Sequence, residues 1–191
     1  MYLKPLAMYK DFLPTSRVLL VTNIVLIGVP GAGKTTVGQL LSVELGRQFV
    51  DSDQEIERIA GKSVSDIFTE DGESAFRELE VDVIGQLLAK DNLVISVGGG
   101  ALLSDQTRAR LRGNNIFWLQ ANLAQAVARV GLNRNRPLLL GNVRGQLADL
   151  MNAREPLYRE VATHQVDTSE LSATQVVDVI ISIMSQNGIA Q

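Results

Sequence analysis

The stretch with the clearest chemical meaning is Gly28-Val29-Pro30-Gly31-Ala32-Gly33-Lys34-Thr35-Thr36. It follows the apolar run Asn23-Ile24-Val25-Leu26-Ile27 and opens a helical pattern that begins at Thr36-Val37-Gly38-Gln39-Leu40-Leu41. A G-x-x-x-x-G-K-T sequence between a strand and a helix is the arrangement of a phosphate-binding loop. Glycines at 28, 31 and 33 admit backbone conformations closed to other residues, so that successive N–H groups turn inward on an anion. The helix starting near Lys34 adds unpaired N–H groups and the positive end of its dipole. Lys34 brings a mobile charge for the outer phosphates, and the Thr35 hydroxyl suits a Mg²⁺ ion. A nucleoside triphosphate is therefore expected at Gly31, Ala32, Gly33, Lys34, Thr35 and Thr36.

Two further stretches lie just after apolar runs. Asp51-Ser52-Asp53 follows Gln48-Phe49-Val50, and Gly98-Gly99-Gly100 follows Asn92-Leu93-Val94-Ile95-Ser96-Val97. Continued strand geometry would put both carboxylates on one side, with Ser52 opposite. Beside Mg·ATP, one carboxylate can border the metal's water shell while the other orients an acceptor hydroxyl. Asp53 is also expected to cap the next helix. Three glycines in a row lower the local propensity for regular structure and point to close backbone approach at a ligand. Arg77, Arg136 and Arg154 complete the set, since arginine pairs bidentately with carboxylate and phosphate.

The elements that must hold these groups alternate strand and helix, the pattern of a parallel sheet covered on both faces. Helices are expected to Leu45 with Gly46 as stop, over Gln54–Ala60, from Ser63, over Gly72–Lys90, from Asn122 towards Val130, around Gln146 to past Arg154, and after a Ser172 cap. Strands are expected at 116–119 and 163–166 as well, and residues 131–145 read as loop. Ligands of such sheets sit at the carboxyl ends of the strands, where all three stretches fall. Composition agrees with one globular domain at residues 23–191, preceded by an extension at 1–22 that carries no recognisable chemistry. The net charge of −3 speaks against non-specific nucleic-acid binding. The absence of cysteine rules out disulfides and thiolate metal sites. No apolar run approaches the roughly 20 residues of a membrane span.

Taken together, Gly-x-x-Gly-x-Gly-Lys-Thr-Thr, Asp51-Ser52-Asp53, Phe76-Arg77-x-x-Glu80, Gly98-Gly99-Gly100, Arg136-Pro137-Leu138-Leu139 and Arg154-x-x-x-Tyr158 resemble shikimate kinase over roughly Asn23 to Thr168. The resemblance implies an α/β fold of the P-loop nucleoside-monophosphate-kinase kind, three layers around a five-stranded parallel sheet in order 2-3-1-4-5. It implies ATP-dependent phosphorylation of the 3-hydroxyl of shikimate, a step of aromatic amino-acid biosynthesis, by a cytoplasmic monomer that uses Mg²⁺. Asp53 then faces the reacting hydroxyl, Arg77 and Arg154 clamp the substrate carboxylate, and Gly98, Gly99 and Gly100 line the acceptor, with Gly99 as a backbone donor and Glu80 as a steadying group. Lys34 serves the phosphates, Thr35 and Asp51 the metal, and Arg129 the adenine face. Arg136 becomes the arginine of a lid at about 130–145 that closes over the transferring group. Lys34, Asp53 and Arg136 are thus the expected catalytic residues. The stretch Asp167-Thr168-Ser169-Glu170-Leu171 departs from the family pattern in offering no clear arginine on the adenine side.

Two other readings compete. A gluconate-type kinase would use the same scaffold without needing both Arg77 and Arg154 beside the triple glycine. A non-catalytic nucleotide switch would need neither carboxylate nor a lid arginine. His164, the one histidine of the chain, has no charged neighbour in sequence and reads as structural or solvent-facing, and Trp118 reads as core.

Overall fold

The computed structural model describes residues 22–131 and 143–188. Its five strands, β1 (Ile24–Ile27), β2 (Gln48–Asp51), β3 (Leu93–Ser96), β4 (Asn115–Gln120) and β5 (His164–Asp167), form one sheet in the order β2-β3-β1-β4-β5. All four pairings are parallel, with Val25 opposite Ile95 on one side and Ile116 on the other. Successive strands are therefore joined by crossovers, and helices lie on both faces. The expected strand order is the observed one.

Burial follows from position in the sheet. The central strands β1 and β3 are buried at every residue and read as unbroken apolar runs, whereas the edge strands β2 and β5 are mostly half-buried or exposed. Helix α1 (Lys34–Leu45) covers one face beside α8 (Ala173–Gln186), and Gly38 lets it come close, since a Cβ there would collide with the Phe49 ring. Helices α2 (Ser52–Ala60), α3 (Val64–Glu70) and α4 (Gly72–Leu88) form a packed group after β2. Phe76, Val83, Ile84 and Leu87 give α4 its buried face. Beyond the triple glycine come a 3-10 turn at Ala101–Leu103 and α5 (Asp105–Leu111). Helices α6 (Leu123–Gly131) and α7 (Val143–Val161) then pack on each other and flank β4. Trp118 of β4 is 6% exposed and stacks near Tyr158 of α7, so it is core as expected. The ring of His164 packs on Phe117 with 4.8 Å between centroids, and burial pushes its imidazole below the usual range. That favours the neutral form, as a structural residue requires.

The structure corrects several local expectations. Asp51, not Asp53, caps α2: strand β2 ends at Asp51 with extended backbone, and its carboxylate accepts from the Asp53 N–H. The chain turns helical at Ser52, so strand alternation stops before Asp53. Both ends of the loop expected at 131–145 are helical, since α6 runs through Gly131 and α7 starts at Val143. Residues 132–142, with Arg136 and most of the expected lid, lie outside the described residues, as do 1–21. Helix α5 was not expected; the signal for it is Ser104, whose hydroxyl caps the Thr107 N–H, ahead of an apolar Leu111.

Candidate active site

At the carboxyl end of β1 the loop takes the shape its glycines permit. Gly28, Gly31 and Gly33 all have positive φ, 147°, 82° and 93°. These are conformations that side chains rarely adopt. Gly28 is also pressed against the Leu119 carbonyl, so no Cβ would fit there. The Ala32 N–H closes a turn on the Val29 carbonyl at 3.1 Å. Helix α1 then begins on Gly33 with no side-chain cap and no acidic residue in its first turn. Its first N–H groups therefore carry no capping side chain and stay available to an anion at the positive end of the dipole. The Lys34 ammonium curls into the loop, 2.9 Å from the Gly28 carbonyl and 3.3 Å from that of Val29. Thr35 and Thr36 are exposed in the first turn of α1. Arg129 of α6 reaches across to the Gly31 carbonyl at 3.2 Å, covering one side of the loop.

The acceptor side is assembled from three helices around Gly98-Gly99-Gly100. None of these glycines has a positive φ, so backbone freedom is not why they are glycine. Close approach is the reason, and each one sits under a different functional side chain. A Cβ on Gly98 would collide with Asp53 Oδ1 and lie 3.2 Å from Glu80 Oε1. On Gly99 it would lie 3.2 Å from Arg154 Nη1, and on Gly100 2.7 and 2.8 Å from the two terminal nitrogens of Arg77. Beneath them, the Gly98 N–H is held by the buried Ser52 hydroxyl at 2.9 Å. Gly99 also faces the phosphate loop, since its Cβ position is 3.5 Å from Pro30 Cδ and 3.7 Å from the Gly28 carbonyl. Asp53, Arg77 and Arg154 thus meet on one backbone segment that abuts the cradle.

Electrostatics tie the cluster together. Glu80 is 2% exposed and pairs with Arg77 at 2.7 Å. Burial pushes the Glu80 carboxyl above the usual range, with Arg77 opposing that shift by hydrogen bond and charge. Arg77 also lies over Phe76, 5.2 Å from the ring centroid, and meets Glu73 at 3.3 Å. Arg154 is anchored at 2.7 Å to the Gly99 carbonyl, which also accepts from the buried Tyr158 hydroxyl at 3.2 Å. Two guanidinium groups held at the rim of one cleft are suited to a small carboxylate.

With this geometry in hand, the comparisons become decisive. The family model described as shikimate kinase matches residues 30–185. A shikimate kinase of Thermobifida fusca is 52% identical over 156 residues, covering 82% of this chain and 91% of its own. The chain belongs to the shikimate kinase family. Among solved structures, shikimate kinase from Acinetobacter baumannii in complex with shikimate superposes with a TM-score of 0.83 at 38% identity, covering 87% of this chain and 94% of that one. A gluconokinase from Sinorhizobium meliloti, at 18% identity and a TM-score of 0.56 over 87% of this chain and 93% of its own, shares the fold alone.

As a shikimate kinase family member the protein is a transferase of the kinase class, and the family uses ATP as co-substrate. The Mg²⁺ that normally accompanies ATP needs hard oxygen ligands, few of them from protein. Thr35 Oγ1 and Asp51 Oδ2 stand 3.1 Å apart beside the cradle and fit that need. Among the described residues no group of three or more His, Cys, Asp or Glu side chains could hold a metal ion. In the stretch after the last strand, Ser169 Oγ accepts from the Asn122 N–H at 3.2 Å. No helix of the described residues is long and apolar enough to cross a membrane. The sequence motifs included Tyr158 and Ser52 without giving either a task. Neither residue type is diagnostic until the fold brings it beneath the triple glycine.

Proposed function

We infer that this enzyme transfers the γ-phosphoryl group of ATP to the 3-hydroxyl of shikimate, yielding shikimate 3-phosphate and ADP. The observation that carries the reading is the meeting of Asp53, Arg77 and Arg154 on Gly98–Gly100, directly against the loop that holds Lys34. Arg77 and Arg154 grip the substrate carboxylate, the Gly99 backbone meets a ring hydroxyl, and Glu80 keeps Arg77 aimed. Asp53 orients the acceptor hydroxyl and takes its proton late, because phosphoryl transfer runs through a loose transition state with little early demand on the nucleophile. The N–H groups of Gly31–Thr36 and the Lys34 ammonium offset charge that spreads over the equatorial oxygens of the transferring group. Mg²⁺ held near Thr35 and Asp51 would supply further positive charge to the phosphates. Arg129 packs over the cradle towards the base. Arg136, which lies outside the described residues, is assigned the lid role on its Arg136-Pro137-Leu138-Leu139 motif. A monomer working in the cytoplasm completes the reading.

A coupled assay of ADP release, with shikimate and gluconate supplied separately, tests it. Shikimate-dependent release with little response to gluconate is expected. Equal release with gluconate, or release independent of any acceptor, overturns the assignment.

A further inference from the structure

Arginine side chains lose several rotamers' worth of freedom when they are fixed, and a guanidinium gripping a carboxylate works best when that loss precedes binding. Arg77 is fixed by buried Glu80, which lies three residues on along α4. Among the described residues Arg154 has no such carboxylate: it donates to the Gly99 carbonyl at 2.7 Å and meets the Tyr158 side chain. One turn further along α7, on the same helix face, stands Tyr158. Its ring is 1% exposed and locked against Trp118, with centroids 5.7 Å apart. Its hydroxyl points back to the same Gly99 carbonyl at 3.2 Å. Burial pushes the phenol upward, so it stays protonated and a donor throughout the neutral range, while the adjacent Arg154 charge acts the other way.

We propose that Tyr158 is a positioning residue for substrate binding: its hydroxyl fixes the Gly99 carbonyl from the core side, and that carbonyl in turn aims Arg154 at the acceptor's carboxylate. The buried ring makes the hydroxyl a rigid reference point that no exposed side chain could provide. Gly99 is a shared hinge in this arrangement, because its other face abuts Pro30 and Gly28 of the phosphate loop. Losing the hydroxyl leaves the Arg154 charge in place but lets the peptide and the guanidinium drift together. The consequence falls on acceptor affinity, not on the nucleotide, whose loop is closed by its own glycine turns.

This rests on Arg154 gripping the substrate carboxylate, and the experiment separates the two ideas. Steady-state constants for shikimate and ATP are measured for the wild type, Tyr158→Phe, Arg154→Lys and the double variant. The phenylalanine keeps the ring against Trp118 and removes one hydrogen bond. Tyr158→Phe is expected to raise the KM for shikimate about tenfold, ~1.4 kcal/mol, with the KM for ATP within about twofold and kcat within about threefold. In the Arg154→Lys background the same change is expected to add less than about twofold, because the group it aims has gone. If Arg154→Lys leaves shikimate KM untouched, the carboxylate reading itself fails. If Arg154→Lys raises it but Tyr158→Phe does not, or raises both Michaelis constants alike, or adds its full effect in the double variant, the positioning role is wrong.

Discussion

The two halves of the cleft are built on opposite principles. The phosphate half is made of backbone: nine consecutive residues, Gly28–Thr36, carry three positive-φ glycines and a helix start without a cap. The acceptor half is made of side chains from α2, α4 and α7, brought together over three glycines that need no unusual backbone at all. The helix starts display the contrast most clearly. Helices α2, α3, α5 and α8 each open on a side chain that satisfies a backbone N–H, namely Asp51, Ser63, Ser104 and Ser172. Helix α1 opens on Gly33 with none, and so does α4 on Asp71, but only α1 starts from a run of positive-φ glycines. Capping adds stability, typically about 1 kcal/mol; leaving it out reserves the N–H groups for an anion. Glycine in the first half supplies conformation, and in the second it supplies room.

Changes that separate these two uses of structure should separate in their kinetic effects. The largest effect is expected at Lys34. Lys34→Ala removes the one side-chain cation within the loop, and kcat should fall roughly 10²–10³-fold with the melting temperature nearly unchanged. A kcat loss below about tenfold would mean that the backbone alone supports the transferring group. Next comes Gly98→Ala, whose added methyl displaces Asp53 and crowds Glu80 while leaving an ordinary backbone conformation. Turnover should drop by at least about tenfold in steady-state assays, while circular dichroism reports an intact fold. Gly28→Ala, by contrast, should lose the fold's stability along with activity, since its φ and the Leu119 carbonyl both oppose a side chain.

A pH profile sharpens the acceptor side further. The Glu80 carboxyl is raised by burial and held down by Arg77. Arg77→Met removes the opposing charge, so the folded-state value rises still further above the unfolded one near 4.5. A group raised in the folded state binds more protons there, so stability is fully present below the unfolded value and is lost as pH climbs through the folded one. Melting temperatures of Arg77→Met should therefore fall more steeply than wild type as pH rises from about 4.5, and Glu80→Gln in the same background should flatten the slope. An unchanged slope would show that Glu80 does not depend on Arg77. The smallest effect is expected for Asp51→Asn, which keeps an oxygen to cap α2 but lowers the charge beside Thr35. Stability should move by less than about 1 kcal/mol in thermal melts, whereas the Mg²⁺ concentration for half-maximal rate should rise several-fold.

The same contrast explains what the sequence made legible. The cradle is local, so residue types and spacing over nine positions were enough to place Lys34, Thr35 and the start of α1. Strand order and the acceptor residues were reached through the combined motifs, because Asp53 and Arg154 are a hundred residues apart and only the sheet brings them together. Asp53 was misplaced as a cap because the change from strand to helix at Ser52 depends on Asp51 turning its carboxylate to the Asp53 N–H, which no periodicity signals. Helix α5 was missed because seven residues with little apolar pattern give no periodic signal. Its anchoring is tertiary: Arg108 is 2.6 Å from the Leu102 carbonyl and 2.9 Å from Glu160 of α7. Tyr158 is the subtler omission, since a tyrosine in an amphipathic helix reads as core until its hydroxyl is seen on Gly99.

Titration calorimetry with the Arg77→Lys/Arg154→Lys double variant tests most directly whether one cleft holds two independently built halves. Shikimate affinity should fall by at least about a hundredfold relative to wild type, while ADP binds both proteins with the same affinity. Unchanged shikimate affinity in that variant, or an equal loss for ADP, would contradict the account.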